Sequence, residues 1–370
     1  MSSSKSKALV PANIEELKPY IPGKTIAEVV ETYHPDQISK LASNENRLGF
    51  SPTIRDAVQK AVQTINDYPD PLSKELRKEI AKRTNVEVDN VIVGSGSESL
   101  LSLLSRTFFQ NKENIVTADV TFIGMFVQAK IRGVKLKKIP VTKEYKFDVK
   151  AIVNAIDEHT KMIYIANPNN PTGTYINTTE FEWLMKQVPE DVIVIMDEAY
   201  YEFAHFVADY PDVLSYNFEN VLVLRTFSKG YGLAGFRVGY GIGPSEIIKY
   251  MYKTKMTFEP GGIGQAAALA AIHDQEFLKQ SVDMVEEGKE ELYHFFDENS
   301  IKYVRSVANF VLMVLPSEEE AKVLVEKMLE KGVILRRINA FGLPNCVRIT
   351  IGLKHQLAHF MSAYKQIYSS

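Results

Sequence analysis

Lys229 closes the run Arg225-Thr226-Phe227-Ser228-Lys229, directly after the apolar stretch Asn220 to Leu224 and upstream of Arg237. An amine at the end of a buried strand loses solvation, so its charged form is disfavoured and the free amine becomes a nucleophile able to form an imine with an aldehyde. Three residues earlier in the chain belong to the same chemistry: Asn170, in Asn167-Pro168-Asn169-Asn170-Pro171-Thr172-Gly173, and Asp197 and Tyr200, in Asp197-Glu198-Ala199-Tyr200. A carboxylate that ends an apolar strand is costly unless a cation pairs with it. An amide and a phenol can donate hydrogen bonds to an anionic oxygen and so favour its ionised form. Each piece has a plainer reading when taken alone. Asp197 suits a helix N-cap, and the asparagine run suits a turn in which Pro171 fixes φ and Gly173 permits a positive one.

Taken together, the four residues have what is needed to hold pyridoxal phosphate. Its ring acts as an electron sink only while the pyridine nitrogen stays protonated, which is the task of a buried acid such as Asp197. Asn170 and Tyr200 would then serve the phenolic oxygen. A phosphate cup is also legible. Gly94-Ser95-Gly96-Ser97-Glu98, followed by Leu100, Leu101, Leu103 and Leu104, reads as a glycine turn opening a helix, whose free amides bind phosphate. Gly96, Ser97 and Glu98 are the candidate contacts there, although Ser97 also suits a plain N-cap. Thr226 or Ser228 would complete the cup with Arg237, the arginine through a bidentate contact. Phe122, in Thr121-Phe122-Ile123-Gly124, would stack on the ring, or simply fill core. His355 and His359 stand one helical turn apart with no third ligand, so they read as a solvated helix face and no metal is assigned.

The elements that must position these residues follow from the apolar pattern. Val91 to Val93, Asn114 to Ala118, Met162 to Ala166, Val192 to Met196 and Val221 to Leu224 are apolar nearly throughout, as in strands of a mostly parallel sheet covered by helices on both faces. A motif follows nearly every run, and open α/β sheets bind ligands beyond their strand ends. One shared site is the expectation. After Pro260 the pattern changes: helices over 264–272 and 276–298, a strand over 309–315, a helix over 318–331, strands over 333–338 and 346–351, and a last helix from Lys354. The chain therefore reads as an α/β large domain over 41–264 and a smaller α+β domain over 265–370, with residues 1–40 packing beside the small domain.

Composition narrows the partners. With 370 residues and 45% apolar content the chain can fill a sizeable core, and its net charge of −3 is too balanced for a nucleic-acid face or a polybasic membrane segment. Cys346 is the one cysteine, which excludes an internal disulfide and fits a reducing cytoplasm. No apolar run is long enough for a membrane helix.

Nearly the full chain resembles the histidinol-phosphate branch of the class I/II aminotransferases, fold-type I enzymes that use pyridoxal phosphate. The resemblance rests on Leu17-Lys18-Pro19-Tyr20 with Pro22-Gly23-Lys24, Lys40 to Asn46, Tyr68-Pro69-Asp70, the asparagine turn, Asp197 to Tyr200, Arg225 to Lys229, and Arg348 to Gly352. It implies that Lys229 carries the cofactor and moves the proton at the substrate α-carbon. It implies a small-molecule amino donor with a 2-oxo acid, and a homodimer in which Tyr68 reaches the phosphate in the neighbouring site. Tyr20, Asn44, Arg336 and Arg348 would bind the substrate, the arginines as an anion clamp on two strands. Arg47, Ser95, Ser99 and Glu259 depart from the family pattern, and Arg47 and Glu259 are expected to add charge at the substrate mouth. Aromatic amino-acid aminotransferases and threonine-phosphate decarboxylases share the fold and stand as alternatives. An aminotransferase-like transcription regulator would need a basic DNA-binding module of ~60 to 70 residues, for which the first 40 residues leave no room.

Overall fold

The buried apolar runs form one seven-stranded sheet in a computed structural model of the chain, which describes residues 9–19, 23–110 and 112–368. Its strands are β1 (Val91–Gly94), β2 (Asn114–Ala118), β3 (Lys135–Ile139), β4 (Thr160–Ala166), β5 (Ile193–Asp197), β6 (Val221–Thr226) and β7 (Gly239–Ile242), in the order β1-β7-β6-β5-β4-β2-β3. Every adjacent pair is parallel except the two made by β7. Two strands escape the apolar pattern for physical reasons. β3, Lys-Leu-Lys-Lys-Ile, is a charged edge strand of the kind that discourages further pairing. β7, Gly-Tyr-Gly-Ile, carries two glycines and little side-chain signal.

The parallel strands all end at one edge of the sheet, and because β7 runs the other way, its beginning lies at that same edge. Register pairs Gly94 with Gly239, Gly239 with Thr226, Leu224 with Asp197, and Asp197 with Ala166. Paired and next-but-one residues share a face. Thr226, Asp197 and Ala166 therefore point to one side, while Arg225 points to the other. On the first side Ile92, Tyr164, Ile195 and Leu224 pack with Leu100, Leu104 and Met125 from the helices Ser97–Phe108 and Gly124–Arg132. On the second, Ile163, Val194, Met196 and Val223 pack with Phe181 and Leu184.

The small domain is an antiparallel sheet of β8 (Lys302–Val304), β9 (Phe310–Val314), β10 (Arg336–Arg337) and β11 (Cys346–Thr350), in the order β10-β11-β9-β8. Phe296, Leu324 and Phe360 from the helices Gln275–Glu298, Glu318–Glu330 and Lys354–Tyr368 cover its core residues Phe310, Val347 and Ile349. The strand expected over 333–338 is divided. Val333–Ile334 pairs with Ser39–Lys40, and only Arg336–Arg337 joins the sheet.

Two boundaries differ from the sequence reading. Ala267, Ala268, Ala271 and Ile272 of the helix Gly262–His273 pack with Ile54, Leu76 and Val93, so this helix belongs to the large-domain core and the change of core falls after His273 rather than at 264/265. Residues 26–40 do pack on the small domain, through Val29 against Leu329 and Ile334. The segment before them does not: Asn13 Nδ2 donates to Lys130 O (2.9 Å) and Glu16 pairs with Lys130 (3.0 Å) on the large domain. His355 is exposed as expected, whereas His359 is half-buried and shares a 2.9 Å hydrogen bond with Ser39, tying the last helix to the N-terminal strand.

Gly239 has no room for a side chain, because a Cβ would lie 2.4 Å from Ser97 N and 2.6 Å from Gly96 C, both backbone. Gly239→Ala should cost about 1–3 kcal/mol in a denaturant titration. Gly235→Ala, where a Cβ meets nothing within 4 Å, should leave the midpoint nearly unchanged. Equal effects would show that the loop yields at no cost.

Candidate active site

The strand ends at this edge enclose a cavity of about 210 Å³ lined by Ser97, Glu98, Phe122, Ala166, Pro168, Asn170, Asp197, Ala199, Tyr200, Thr226, Ser228, Lys229 and Arg237. Of the residues proposed to hold a cofactor, all but Gly96 and Tyr68 line it. Gly96 lies directly behind, with φ +85°, and a Cβ there would stand 2.7 Å from Arg237 Nη2. Tyr68 stays away from its own chain's cavity. It is 80% exposed and stacks on Phe258 with ring centroids 4.2 Å apart.

Asp197 is the buried acid of the cavity. Tyr164 Oη donates to its Oδ2 (2.7 Å) and the Ala199 amide to its Oδ1 (3.2 Å). Burial pushes its carboxyl up to about 6 against those two bonds and the nearby Lys229. A cation brought into the cavity would reverse that shift. Sequence reasoning missed Tyr164, yet the period-2 rule could have found it, since it faces the same way as Ala166, the register partner of Asp197. On the far side of the sheet Arg225 Nε donates to Glu198 Oε2 (2.8 Å), and the guanidinium lies 3.3 Å over the Tyr201 ring. The second carboxylate of the Asp-Glu pair thus has its own buried cation and makes no claim on the cavity.

Lys229 is half-buried with its Nζ 5.6 Å from the Tyr200 ring centroid. Desolvation, then Arg348 and Arg237, lower its ammonium to about 8, opposed by Glu45 and Asp197. Tyr200 Oη accepts from Asn44 Nδ2 (2.7 Å), which leaves the phenolic proton to be donated elsewhere. Asn170 is oriented likewise: Arg348 Nη1 donates to its Oδ1 (2.5 Å), so its Nδ2 is the end available to a ligand.

The phosphate cup is built from backbone as much as side chains. The helix Ser97–Phe108 begins with no side-chain cap, so Ser97 is not the N-cap that the plainer reading offered, and its first amides lie open beside Arg237. Arg237, at φ +55°, donates to Ser228 Oγ (3.3 Å) and Ala234 O (3.3 Å) and has no acid partner among the described residues. Thr226 Oγ1 is committed within the turn, to Val238 O (3.2 Å), Ser228 Oγ (3.0 Å) and the Ser228 amide (3.1 Å). Thr226 has a single proton, which Val238 O can take, whereas Ser228 Oγ accepts from Arg237 and keeps its own proton, so of the two hydroxyls Ser228 is the better placed for an anion.

The residues expected at the substrate are divided. Arg336 and Arg348 are direct register partners on β10 and β11 and so share a face. Arg336 is half-buried and has no hydrogen-bond or ion partner among the described residues, whereas Arg348 also donates to Ala42 O (2.9 Å). Asn44 is buried and does not line the cavity. Its amide is committed to Tyr200 and Thr350, so it holds the Tyr200 hydroxyl in place. Tyr20 lies outside the described residues. Gly23, close to it in sequence, abuts Arg336, whose Nη1 would stand 3.0 Å from a Cβ there. The expected extra charges at the mouth are not free: Arg47 Nη1 lies 3.6 Å from Glu45 Oε2, and Glu259 Oε1 accepts from the Ser95 amide (2.9 Å). Arg337, next to Arg336, is instead spent on an ion pair with Glu318 at 3.0 Å.

Residues 36–363 match the family described as aminotransferase class I and II. The chain belongs to that family. This aminotransferase is 39% identical over 360 residues to a histidinol-phosphate aminotransferase of Geobacillus sp. (strain WCH70), covering 97% of this chain and 98% of that one. It is also 39% identical to the Bacillus subtilis (strain 168) histidinol-phosphate aminotransferase, over 96% and 98% of the two chains. Among solved structures, the Sinorhizobium meliloti histidinol-phosphate aminotransferase in complex with pyridoxal 5′-phosphate shares the fold, at 24% identity and a TM-score of 0.89 over 99% of each chain. The class I and II aminotransferases use pyridoxal phosphate, and the cavity suits it. An uncapped helix start and an arginine without an acid fit the phosphate, a buried carboxyl fits the ring nitrogen, and a lysine with a lowered pKa fits the aldehyde.

Because the Lys229 ammonium titrates near 8 in the fold against an ordinary 10.5, its burial costs stability below about 8, and the cost fades as pH rises toward 10.5. Cofactor-free Lys229→Met should therefore unfold at higher denaturant than cofactor-free wild type at pH 7, with the difference closing by pH 10.5. A gap that does not change with pH would contradict the buried-amine account.

Proposed function

We propose that this aminotransferase moves the amino group between L-histidinol phosphate and 2-oxoglutarate. The observation that carries the substrate is Arg336: a half-buried guanidinium beside Arg348, lacking any partner among the described residues, is placed for an external anion. The full-length likeness to histidinol-phosphate aminotransferases supports the same donor.

When bound, pyridoxal phosphate supplies an aldehyde and a protonated ring that draws electrons from the substrate α-carbon. The chain does the rest. Lys229 Nζ would hold the cofactor at its aldehyde, and its free amine would carry the proton at the substrate α-carbon. Asp197 would keep the ring nitrogen protonated, backed by Tyr164. Asn170 Nδ2 and Tyr200 Oη would donate to the phenolic oxygen, while the amides after Gly96, Ser228 and Arg237 would take the phosphate and Phe122 would cover the ring. Arg348, fixed against Asn170, and Arg336 receive the anionic groups of the two substrates.

The reading includes a homodimer. Ile65, Tyr68, Met256 and Phe258 are large apolar side chains left exposed on two segments that adjoin one another through the Tyr68–Phe258 stack, which is the kind of surface a second copy covers. Tyr68 would then serve the partner's phosphate. A phosphorylated, membrane-impermeant substrate goes with a cytoplasmic location.

A panel of histidinol phosphate, phenylalanine, tyrosine and threonine phosphate, followed for amino transfer to 2-oxoglutarate and for carbon dioxide release, tests the donor. Transfer from histidinol phosphate should dominate, and dominance of an aromatic amine or of carbon dioxide release would replace the proposal. Arg336→Ala should weaken histidinol phosphate by about 10- to 150-fold and an uncharged aromatic amine far less, since a charge-assisted contact is worth about 1.5–3 kcal/mol. Asp197→Asn should retain cofactor yet lose about two or more powers of ten in kcat, each lost unit of ring-nitrogen pKa being about tenfold. Near-normal turnover would leave Asp197 as a structural acid. Borohydride should fix the cofactor to Lys229, as read by peptide mapping, and attachment elsewhere would displace the whole site.

A further inference from the structure

We infer that Glu259 is a positioning residue for the phosphate cup, acting from behind the loop Ser95–Ser97. The inference rests on the chain's use of pyridoxal phosphate and is independent of which amine it accepts.

The loop is gripped on three sides. Arg237 Nη2 lies where a side chain at Gly96 would be, Gly239 lies against the Ser97 amide nitrogen, and on the remaining side Glu259 Oε1 accepts from the Ser95 amide at 2.9 Å. That last bond fixes the Gly94–Ser95 peptide at the entrance to the turn, and the next amide, of Gly96, is bonded back to Gly94 O (2.8 Å), so the direction in which the following amides point is set from there. Burial raises the Glu259 carboxyl, but the hydroxyl of Ser99, the amide and hydroxyl of Ser95 and the Lys255 ammonium outweigh it and keep the group ionised. Lys255 Nζ also donates to the backbone oxygen of Glu259, so the acceptor is itself held in place.

A carboxylate near a phosphate would ordinarily repel it. Here the two face different hollows: Ser95, Ser99 and Glu259 line one with Arg106 and Gln128 that meets the cavity only at Glu98, and none of these five lines the cavity that contains Lys229 and Arg237. One carboxylate oxygen is taken by the Ser95 amide, and the Lys255 ammonium, held at the Glu259 carbonyl, offsets part of the charge, so orientation outweighs repulsion. Ser95, Ser99 and Glu259, three of the four departures from the family pattern, thereby form one linked group.

The test is equilibrium binding to the cofactor-free enzyme, using pyridoxal phosphate and, as the control lacking the phosphate, pyridoxal. Glu259→Ala should weaken pyridoxal phosphate by about tenfold, the usual scale for losing a hydrogen bond to an ion, and leave pyridoxal within about twofold. Glu259→Asp, which keeps the charge but withdraws the oxygen by one methylene, should show the same selective loss. Glu259→Gln, which keeps the acceptor without the charge, should recover most of the affinity. Equal losses for both ligands, no loss, or tighter pyridoxal phosphate binding without the carboxylate would each overturn the inference. If Glu259→Ala does not fold, the Glu259→Asp comparison decides on the same criteria. Failure of wild-type enzyme to bind pyridoxal phosphate at all would instead overturn the reading of the cavity.

Discussion

A carboxylate withdrawn wholly from water has to be supplied with donors, and the placement of Asp197 organises the large domain around that requirement. Its strand is buried along its length, so the donors can come only from the neighbouring strand and from its own turn. Tyr164 and the Ala199 amide fill those two directions, and the remaining one opens into the cavity. The register that aligns Ala166 with Asp197 is what sets Tyr164 one pleat back on the same face. A one-residue slip would turn both groups into opposite layers. The adjoining Glu198 avoids competition by facing the far side, where Arg225 neutralises it.

The small domain contributes less surface to the cavity than orientation to its walls. Arg348 holds the oxygen end of Asn170, and Asn44, itself held by Thr350 and, through its carbonyl, by Asn309, holds the oxygen of Tyr200. The Asn170 amide and the Tyr200 hydroxyl are thus held by Arg348 of the small domain and by Asn44, which is itself tied to that domain. Any shift of the small domain is felt first as a rotation of an amide and a phenol.

Much of this was legible in the sequence, and what was not has identifiable causes. Apolar runs covered on both faces revealed five strands, and the polar residues after them revealed the cavity wall, because both signals are local. β7 was hidden by its glycines, which are present for close packing and so carry no side-chain pattern. The bond between Asn44 and Tyr200 is invisible in the sequence, because nothing there shows that two such distant segments come within reach of each other. The helix Gly262–His273 was divided from the domain it packs in because its alanines look alike from either side. Arg47 and Glu259 looked like loose charges, since an ion pair or a backbone amide that absorbs them is a tertiary fact.

The reversed direction of β7 has a geometric consequence. Lys229 follows β6 and Arg237 precedes β7, so the attachment point for one end of a ligand and the anchor for its other end sit on a single short connection between two hydrogen-bonded neighbours. Their spacing cannot drift with the breathing of distant helices or with the angle between domains. The connection is a built-in calliper. For the cofactor proposed above, it would set the reach between the amine of Lys229 and the guanidinium of Arg237 by local backbone alone.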